Sequence, residues 1–482
     1  MLVLLPLLVP LATALACVLA APRPRLQLAL SWAGALALLG CAVALLAQVE
    51  TGGTARLALG NWPPPFGIEF AADRLSAAMV LVAALMGVAA LGFQMTDADA
   101  ASADGALLPL VHGLLTGACG ALLTADLFNL YVWFELMLIC ALGLLVRGGT
   151  ARSLEAALKY FSLNMVGTLL LLAAVALLYG ATGHLNFGAL GAAARQMDSA
   201  ALSPFVALLV LALLMKAGAF PLYAWLPAAY HTLPAPLLAL FAALLTKVGV
   251  YALLRLLGDV FAGSPALLYQ ALGWIAVLTM VSGVLGAAYH WDMRRILAFH
   301  IVSQIGYMLL GIALASPAGS AGAMFYMWHN MVVKGALILI AAMVFRLAGH
   351  YDLRRVGGLY AARPWLATLF LVAAFAQVGI PPLSGFWGKL LLVRESFAQG
   401  EALWGAVALG VGALTLYSMA KIWMEAFWKP HPDPTWQPPR ARLAPAYAVT
   451  ATLAALSLGV GVYPEPFIAF AGDAAQALGG VR

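Results

Sequence analysis

Apolar runs of about 20 residues recur from one end of this chain to the other. A helix needs roughly 20 such residues to cross a hydrocarbon core of about 30 Å. Fourteen runs can be marked, approximately 2–21, 26–48, 74–95, 106–124, 127–146, 157–179, 204–226, 236–257, 267–289, 295–315, 322–347, 366–393, 402–428 and 444–464. The longest connections, about 49–73, 180–203 and 429–443, are too short for independent domains. We therefore predict an all-α, polytopic bundle of about fourteen transmembrane helices, forming a single domain over 1–482.

Composition excludes several classes of soluble protein. Of the 482 residues, 64% are hydrophobic and 9% are charged, whereas soluble proteins carry about 25% charged residues. The net charge of +6 is spread thinly between apolar runs, so no basic face exists for nucleic acid. The sequence has no G-x-G-x-x-G or G-x-x-x-x-G-K-[ST] loop, and its four cysteines lie in apolar runs without a C-x-x-C pair. We predict no cofactor, no metal site and no nucleic-acid partner for this chain.

The positions of the basic residues predict an orientation. With the N-terminus outside, the odd-numbered connections and their flanks face the cytoplasm and hold thirteen basic residues: Arg23, Arg25, Arg147, Arg152, Arg294, Arg295, Arg346, Arg354, Arg355, Arg363, Lys429, Arg440 and Arg442. The other side holds six: Arg56, Arg74, Arg195, Arg255, Arg394 and Arg482. Because cytoplasmic loops are enriched in Lys and Arg, we expect both termini on the outer side.

Lysines, unlike arginines, are concentrated inside the predicted spans. All arginines lie at span ends or in connections, whereas six of the seven lysines lie within spans: Lys159, Lys216, Lys247, Lys334, Lys389 and Lys421. Arginine stays protonated in proteins, but a desolvated lysine can exchange a proton. An ionised side chain at the bilayer centre costs roughly 2.5–3.5 kcal/mol, so intramembrane charges are functional candidates. Glu135, well inside its span, joins Lys216, Lys247, Lys334 and Lys389 as a candidate.

The outermost of these charges also have a simple structural interpretation. Lys159 follows Glu155 by four residues, which is the spacing of an ion pair on one helix face. Lys421 and Glu425 lie near a span end beside Trp423, where snorkelling to the interface is expected. We leave these charges out of the candidate site.

Two spans contain the same proline break. Gly218-Ala-Phe-Pro221-Leu222 follows Lys216, and Gly379-Ile-Pro381-Pro382-Leu383 precedes Lys389, with Pro221 and Pro382 separated by 161 residues. Proline removes a backbone hydrogen bond inside a helix, and such breaks at equivalent positions of two halves are typical of ion sites in transporters. A structural kink without a function remains the alternative.

One span carries a histidine beside a lysine. In W-H-N-M-V-V-K-G, Asn330 and Lys334 lie four residues apart on one helical face, and His329 precedes Asn330. Histidine titrates near physiological pH and can pass protons between waters, although a buried histidine can also be purely structural. We include His329 among the candidates and leave His300 and His112 out.

Five stretches resemble the antiporter-like membrane subunits shared by respiratory complex I and the Mrp-type cation/proton antiporters. They are D-L-F-N-L-Y-V-W-F-E (126–135), K-A-G-A-F-P-L-Y-A-W-L-P (216–227), A-L-L-T-K-V-G-V-Y-A-L around Lys247, H-N-M-V-V-K-G from His329, and G-I-P-P-L-S-G-F-W-G-K (379–389). S-Q-I-G-Y-M-L-L-G from Ser303 adds support. Within this superfamily, these stretches are most similar to the D subunits of the Mrp antiporters. The resemblance is strongest over about 105–425.

This resemblance implies two inverted five-helix repeats, helices 4–8 (106–257) and helices 9–13 (267–428), with helices 7 and 12 broken. It implies that Glu135 pairs with Lys216, that Lys247, His329 and Lys334 continue a hydrated central axis, and that Lys389 is the terminal exchange lysine. It also implies partner membrane subunits, protons and Na⁺ or another monovalent cation as the transported ions, and the cytoplasmic membrane of a bacterium.

Three functions remain open from the sequence. The first is a proton-translocating subunit of a cation/H⁺ antiporter, which is a transporter and not an enzyme. The second is a proton-pumping subunit of a complex I-like NADH:quinone oxidoreductase or a membrane-bound hydrogenase. The third is a scaffold that transports nothing; it predicts that replacing Lys216, Lys247 and Lys389 by leucine stabilises the protein without abolishing transport.

Overall fold

The computed structural model of the chain describes residues 1–97, 105–439 and 442–479, so Arg440 and Arg482 lie outside the described residues. The helices are α1 Leu5–Leu19, α2 Pro24–Gly52, α3 Arg74–Gln94, α4 Leu107–Leu123, α5 Leu127–Val146, α6 Ala151–Thr182, α7 Phe187–Gln196, α8 Ser199–Ala217, α9 Trp225–Tyr230, α10 Ala235–Arg255, α11 Ala266–Tyr289, α12 Met293–Ala313, α13 Pro317–Ala348, α14 Leu359–Ala362, α15 Pro364–Val378, α16 Ser384–Ala398, α17 Ala402–Ile422, α18 Ala444–Val462 and α19 Glu465–Gly479. The predicted all-α bundle is confirmed.

Every predicted span contains a helix, and twelve helices in the described part of the chain are long and apolar enough to cross a membrane. The two remaining spans contain α4, which has 17 residues, and α15, which is half of a broken helix. Two spans lengthen at their ends into π-helical turns, Leu256–Val260 and Trp423–Trp428. The protein is therefore an integral membrane protein.

Hydrogen bonds join connections that the sequence predicts to lie on the same side of the membrane. Among even-numbered connections, the Asn186 side chain donates to Glu69 at 2.9 Å and the Ser316 hydroxyl donates to Glu395 at 2.7 Å. Among odd-numbered ones, Gly358 N donates to Lys429 O at 2.7 Å. A mistaken span would bring connections of opposite sides together, so these contacts support the order of the fourteen spans.

Surface elements fill the longer connections. The connection at 49–73 forms a two-stranded antiparallel hairpin, β1 Ala55–Ala58 and β2 Glu69–Ala72, and the connection at 180–203 contains α7. After the last span, α19 packs against α13 and α3. Sequence periodicity over 20-residue windows did not predict these elements, because each is shorter than one span.

Three helices form the centre of the bundle. In α10 with its π-helical extension, 100% of the residues in an apolar 18-residue stretch are buried. In α12, 94% of the residues in such a stretch are buried. α13 packs against both of them and against α16. The outer helices α1, α2 and α18 bury only 33% of such a stretch, so their remaining faces are available to lipid or partners. Most side chains of α10, α12 and α13 are therefore buried inside the bundle.

The two proline breaks have the same backbone geometry. α8 is followed by Gly218 (φ +78°) before α9, and α15 is followed by Gly379 (φ +92°) before α16. Both glycines adopt the left-handed conformation that other residues rarely reach, which explains their place in the G-x-x-P-L pattern. Each break also contains a cis peptide bond, before Pro221 and before Pro382, and Pro381 lies beside it in the second. The predicted breaks are confirmed.

Candidate functional site

All four candidate lysines of the membrane interior are buried. Lys247 and Lys334 have no exposed surface, Lys216 is 5% exposed and Lys389 is 9% exposed. None of them faces lipid, as the cost of an ionised group in hydrocarbon requires. They lie on different helices, Lys216 on α8, Lys247 on α10, Lys334 on α13 and Lys389 on α16. Each has a different set of partners.

Lys216 reaches Glu135 through a threonine. The ammonium nitrogen donates to Thr168 Oγ1 at 2.5 Å and to the Asn164 carbonyl at 3.2 Å. Thr168 Oγ1 in turn donates to Glu135 Oε1 at 2.7 Å. The direct Glu135–Lys216 pair that the resemblance implied is not formed in the described structure, because the hydroxyl of α6 lies between the two charged groups. One hydroxyl both accepts from the cation and donates to the anion, so it forms a hydrogen-bonded relay between them.

A small cavity lies beside Lys216. Its volume is about 20 Å³, and its lining includes Asn164, Tyr160, Trp225 and Leu245. A cavity of this size with polar groups at its wall has room for one water molecule. Leu245 belongs to α10, two residues before Lys247, so this space extends from the first break toward the central helix.

Lys247 has one hydrogen-bond partner in the described structure. Its ammonium group donates to the carbonyl of Ala242, on the same helix, at 2.6 Å. The side chain thus lies along α10 toward its N-terminal end. A single neutral carbonyl satisfies one of the three ammonium donors, so the charged form of this lysine needs additional polar neighbours.

The centre of α13 carries polar groups without protein partners. Lys334 Nζ and both side-chain polar atoms of Asn330 are buried and have no hydrogen bond in the described structure, and the same holds for the Gln377 amide on α15. Buried polar groups in native proteins are almost always satisfied by protein or by ordered water. These buried polar groups are therefore the candidates for hydrogen bonds to water.

Lys389 reaches back across the second break. Its ammonium group donates to the carbonyls of Val378 at 2.7 Å and Gln377 at 3.2 Å, the last residues of α15. These carbonyls lose their helical partners at the break, and the C-terminal end of a helix attracts a cation. The lysine therefore stabilises the break while remaining buried. In the first break, the Trp225 indole N–H instead donates to the Met215 carbonyl at 3.1 Å.

His329 belongs to the same cluster as Lys389. Its Nδ1 is 2.7 Å from Ser384 Oγ, the first residue of α16, and Ser384 Oγ is 2.8 Å from Ser457 Oγ on α18. The opposite nitrogen, Nε2, is buried without a partner in the described structure. The imidazole thus has one fixed contact and one nitrogen open to a water or a proton donor.

Two tyrosines connect these groups. Lys389 Nζ lies 4.8 Å from the centre of the Tyr307 ring, Tyr307 and Tyr326 are 5.3 Å apart, and Tyr326 is 5.4 Å from the His329 ring. The Tyr326 hydroxyl donates to Gln304. The structure therefore joins His329 and Lys389 through aromatic rings on α12 and α13.

The outer charges have structural roles. Lys159 pairs with Glu155 on an exposed face, as predicted. Lys421 donates to the carbonyls of Ala288 and His290, each at 2.7 Å, at the end of α11. Glu425 pairs with Lys429 and not with Lys421.

Sequence reasoning missed Thr168, Asn164 and the tyrosine pair. Asn164 and Thr168 lie four residues apart on α6, so they share one face of that helix. That spacing was available as a signal in the sequence. Nothing in the sequence places Tyr307 and Tyr326 between His329 and Lys389, because the contact depends on how α12, α13 and α16 pack.

The arrangement can hold and pass protons. Buried ammonium groups, a threonine relay to a carboxylate, and the unpaired Asn330 amide one helical turn before Lys334 are suited to proton exchange through water. No group of His, Cys, Asp and Glu suitable for a metal ion occurs in the described ranges.

Known proteins are similar to this chain in both sequence and architecture. A family model described as "NADH:quinone oxidoreductase/Mrp antiporter, TM" matches residues 124–415. The chain is 40% identical to the D subunit of the Na⁺/H⁺ antiporter of Alkalihalophilus pseudofirmus, over 89% of this chain and 87% of that protein. It is 36% identical to the Bacillus subtilis protein of the same name, over 99% and 97% of the two chains.

Solved structures give the same result. A chain of the Mrp complex from Dietzia sp. superposes with a TM-score of 0.92 at 33% identity, covering 99% of this chain and 97% of that one. A chain of respiratory complex I from Thermus thermophilus superposes with a TM-score of 0.85 at 26% identity, covering 100% and 99%. The protein belongs to the NADH:quinone oxidoreductase/Mrp antiporter family of membrane proteins.

Proposed function

We propose that this protein is the proton-translocating subunit of a multisubunit Na⁺/H⁺ antiporter, in which Na⁺ or another monovalent cation is exchanged. The observation that carries the proposal is the Lys216–Thr168–Glu135 relay, which joins the two charged groups through one hydroxyl. The antiporter subunits among its relatives support it, as does the chain of the Mrp complex. Its partners are the other membrane subunits of such a complex.

Electrostatics couples the steps. A negative charge on Glu135 stabilises the ammonium form of Lys216 through Thr168, and neutralising the carboxylate favours proton release. The released proton passes through water toward Lys247, Lys334 and then Lys389, where His329 lies close by. Each charge biases its neighbour because the interior has a low effective dielectric.

The orientation belongs to the same proposal. The protein lies in the cytoplasmic membrane of a bacterium, with both termini outside and the arginine-rich connections inside. Its two halves, 106–257 and 267–428, are inverted repeats, each with one broken helix. The matched left-handed glycines at Gly218 and Gly379 support this equivalence.

A redox-driven pump is the second candidate. The structural likeness to a chain of respiratory complex I supports this candidate. The same relay serves either energy source. Subunits that co-purify with the chain separate the two candidates: flavin and iron–sulfur proteins support the pump, and several small membrane subunits support the antiporter.

Replacing Glu135 by glutamine tests the proposal. Glu135→Gln keeps a carbonyl that accepts from Thr168 but removes the charge that Lys216 senses. We expect the assembled complex in inverted vesicles to lose Na⁺-dependent proton movement. Glu425→Gln is the matched control, since that carboxylate pairs with Lys429 outside the relay. Normal exchange by an assembled Glu135→Gln complex would refute the proposal.

A further inference from the structure

A basic pocket opens at the end of the bundle that carries the arginine-rich connections. Its volume is about 310 Å³, and its lining includes the arginines Arg147, Arg152 and Arg294, together with His231. These residues come from the end of α5, the start of α6, the segment after α9, and the start of α12. No carboxylate lines the pocket among the described residues.

The described lining of this pocket carries three guanidinium groups and no carboxylate. Asp292 accepts from Arg294 at 3.2 Å and compensates that guanidinium in part, but it does not line the cavity. Burial lowers the pKa of His231 to about 4, and Arg295, Arg152 and Arg294 act in the same direction. His231 is therefore neutral at physiological pH, and its Nδ1 contacts the Pro227 carbonyl at 2.9 Å.

Arginines are the anion ligands of this pocket. The Thr150 hydroxyl donates to Ser153 Oγ at 3.1 Å within the N-terminal cap of α6, and the Thr232 hydroxyl donates to the Ala229 carbonyl at 2.7 Å, so both hydroxyl protons are already used. The start of α6 adds the positive end of a helix dipole. Guanidinium groups bind phosphate oxygens in bidentate geometry. The arginines of the pocket therefore suit a phosphodiester, whose two charged oxygens can accept from guanidinium groups.

The remaining walls of the pocket are apolar. Leu144, Leu145 and Leu233 line it beside the arginines. An amphiphile satisfies both parts of such a lining, with its phosphate on the arginines and the start of its chains on the leucines. Basic pockets between transmembrane helices on the cytoplasmic side are recognised binding sites for anionic lipid headgroups. The cavity is also too small for a helix of another protein, which has a diameter of about 10 Å.

We propose that this basic pocket binds the phosphate group of an anionic bilayer phospholipid of the phosphatidylglycerol type. The bound headgroup contacts the start of α6, the helix that carries Thr168 further along, and the segment 231–234 that follows α9. The lipid therefore holds together two elements that position Lys216. The binding itself does not depend on the direction or the kind of ion transport.

Photo-cross-linking in the assembled complex tests this site. The probe is phosphatidylglycerol with a diazirine near the start of one acyl chain, and the comparison probe is phosphatidylethanolamine with the same chains. We expect phosphatidylglycerol to label peptides containing Leu144, Leu145 or Leu233 about tenfold more strongly than phosphatidylethanolamine. Arg152→Gln and Arg294→Gln should each reduce the labelling about threefold.

Arg354→Gln is the matched control, because that arginine is exposed on the same side and pairs with Asp352 outside the pocket. It should leave the labelling unchanged. Equal labelling by the two lipids would overturn the proposal, and so would labelling that Arg152→Gln and Arg294→Gln do not alter. Loss of the label when equimolar inorganic phosphate is added would assign the site to free phosphate and overturn the lipid assignment. If neither lipid labels the pocket and an acidic segment of another subunit is cross-linked there instead, the lipid assignment is also overturned.

Discussion

The ammonium group of Lys216 lies 2.5 Å from the hydroxyl oxygen of Thr168, and that hydroxyl, not the lysine, contacts Glu135. The two charges of the first half are therefore connected by a group that can rotate. A hydroxyl that donates to Glu135 must turn, or exchange its proton, before it can donate elsewhere. Coupling between the carboxylate and the lysine thus depends on one side chain of α6.

Thr168→Val tests that dependence, because valine has nearly the same shape and lacks the hydroxyl. Hydrogen bonds to charged groups contribute about 1.5–3 kcal/mol, so we expect exchange to fall about tenfold or more. Thr168→Ser should retain most of the rate. Thr452→Val is the control, since Thr452 is exposed on α18 and bonds only to the Ala448 carbonyl of its own helix. Exchange by Thr168→Val at the wild-type rate would remove the threonine from the pathway.

The two break glycines give a matched pair of variants. Gly218→Ala and Gly379→Ala each place a side chain in the left-handed region, which costs about 1–2 kcal/mol. The new Cβ at Gly379 would lie 2.9 Å from Lys389 Cδ, whereas at Gly218 the nearest atom is Leu226 Cδ1 at 3.3 Å. We expect similar losses of thermal stability but a larger loss of exchange per assembled complex for Gly379→Ala. Equal losses of exchange would show that the position of Lys389 is not critical.

Ordered water should fill the space around Lys334. Its ammonium group, the Asn330 amide and the Gln377 amide are buried without protein partners in the described structure. Cryo-electron microscopy of the complex at a resolution that shows waters should place at least one water within hydrogen-bonding distance of each group. The buried Tyr251 hydroxyl, which already donates to the Leu122 carbonyl at 2.6 Å, provides an internal comparison. A dry cavity around Lys334 would contradict a hydrated pathway.

A buried ion pair outside the relay makes a pH-dependent prediction. Burial raises the pKa of Asp73, but the charge and hydrogen bonds of Arg255 outweigh it and hold this pKa at about 2. Because the folded pKa lies below the unfolded value of about 3.8, the pair stabilises the protein above that value and loses this effect as pH falls toward 2. Asp73→Asn should therefore lower stability by about 2 kcal/mol at pH 7.

Thermal unfolding in detergent at several pH values checks this. The difference between wild type and Asp73→Asn should be constant above about pH 5 and shrink below pH 4. Asp352→Asn should have little effect, since its partner Arg354 is largely exposed. A stability difference between wild type and Asp73→Asn that grows on acidification would contradict the lowered pKa of Asp73.

The spans and breaks were predictable because their physical causes are local. A run of 20 apolar residues or a G-x-x-P-L pattern determines its own backbone, whatever it packs against. The buried lysines were predictable for the same reason, since the cost of exposing them to lipid is large. Surface elements such as α7 and α19 were missed because short helices give no signal in a window of one span length.

The contacts of the site depend on tertiary packing. Glu135 and Lys216 lie 81 positions apart in the chain, and the sequence does not reveal that α6 brings Thr168 between them. Likewise, the C-terminal carbonyls of α15 become partners of Lys389 only because the break turns α16 back toward them. Residue type predicts which groups are chemically competent, and packing decides which of them meet.

Lys389→Arg tests the central claim most directly, with Lys421→Arg as its control. Both lysines donate to two carbonyls at the end of a helix, but only Lys389 belongs to the proposed pathway. Arginine keeps the charge and the donors, yet it cannot release its proton. In proteoliposomes containing the assembled complex, pH-gradient-driven Na⁺ exchange should fall to background with Lys389→Arg and stay near normal with Lys421→Arg. Undiminished exchange by a complex carrying Lys389→Arg would contradict proton transfer through the buried lysines.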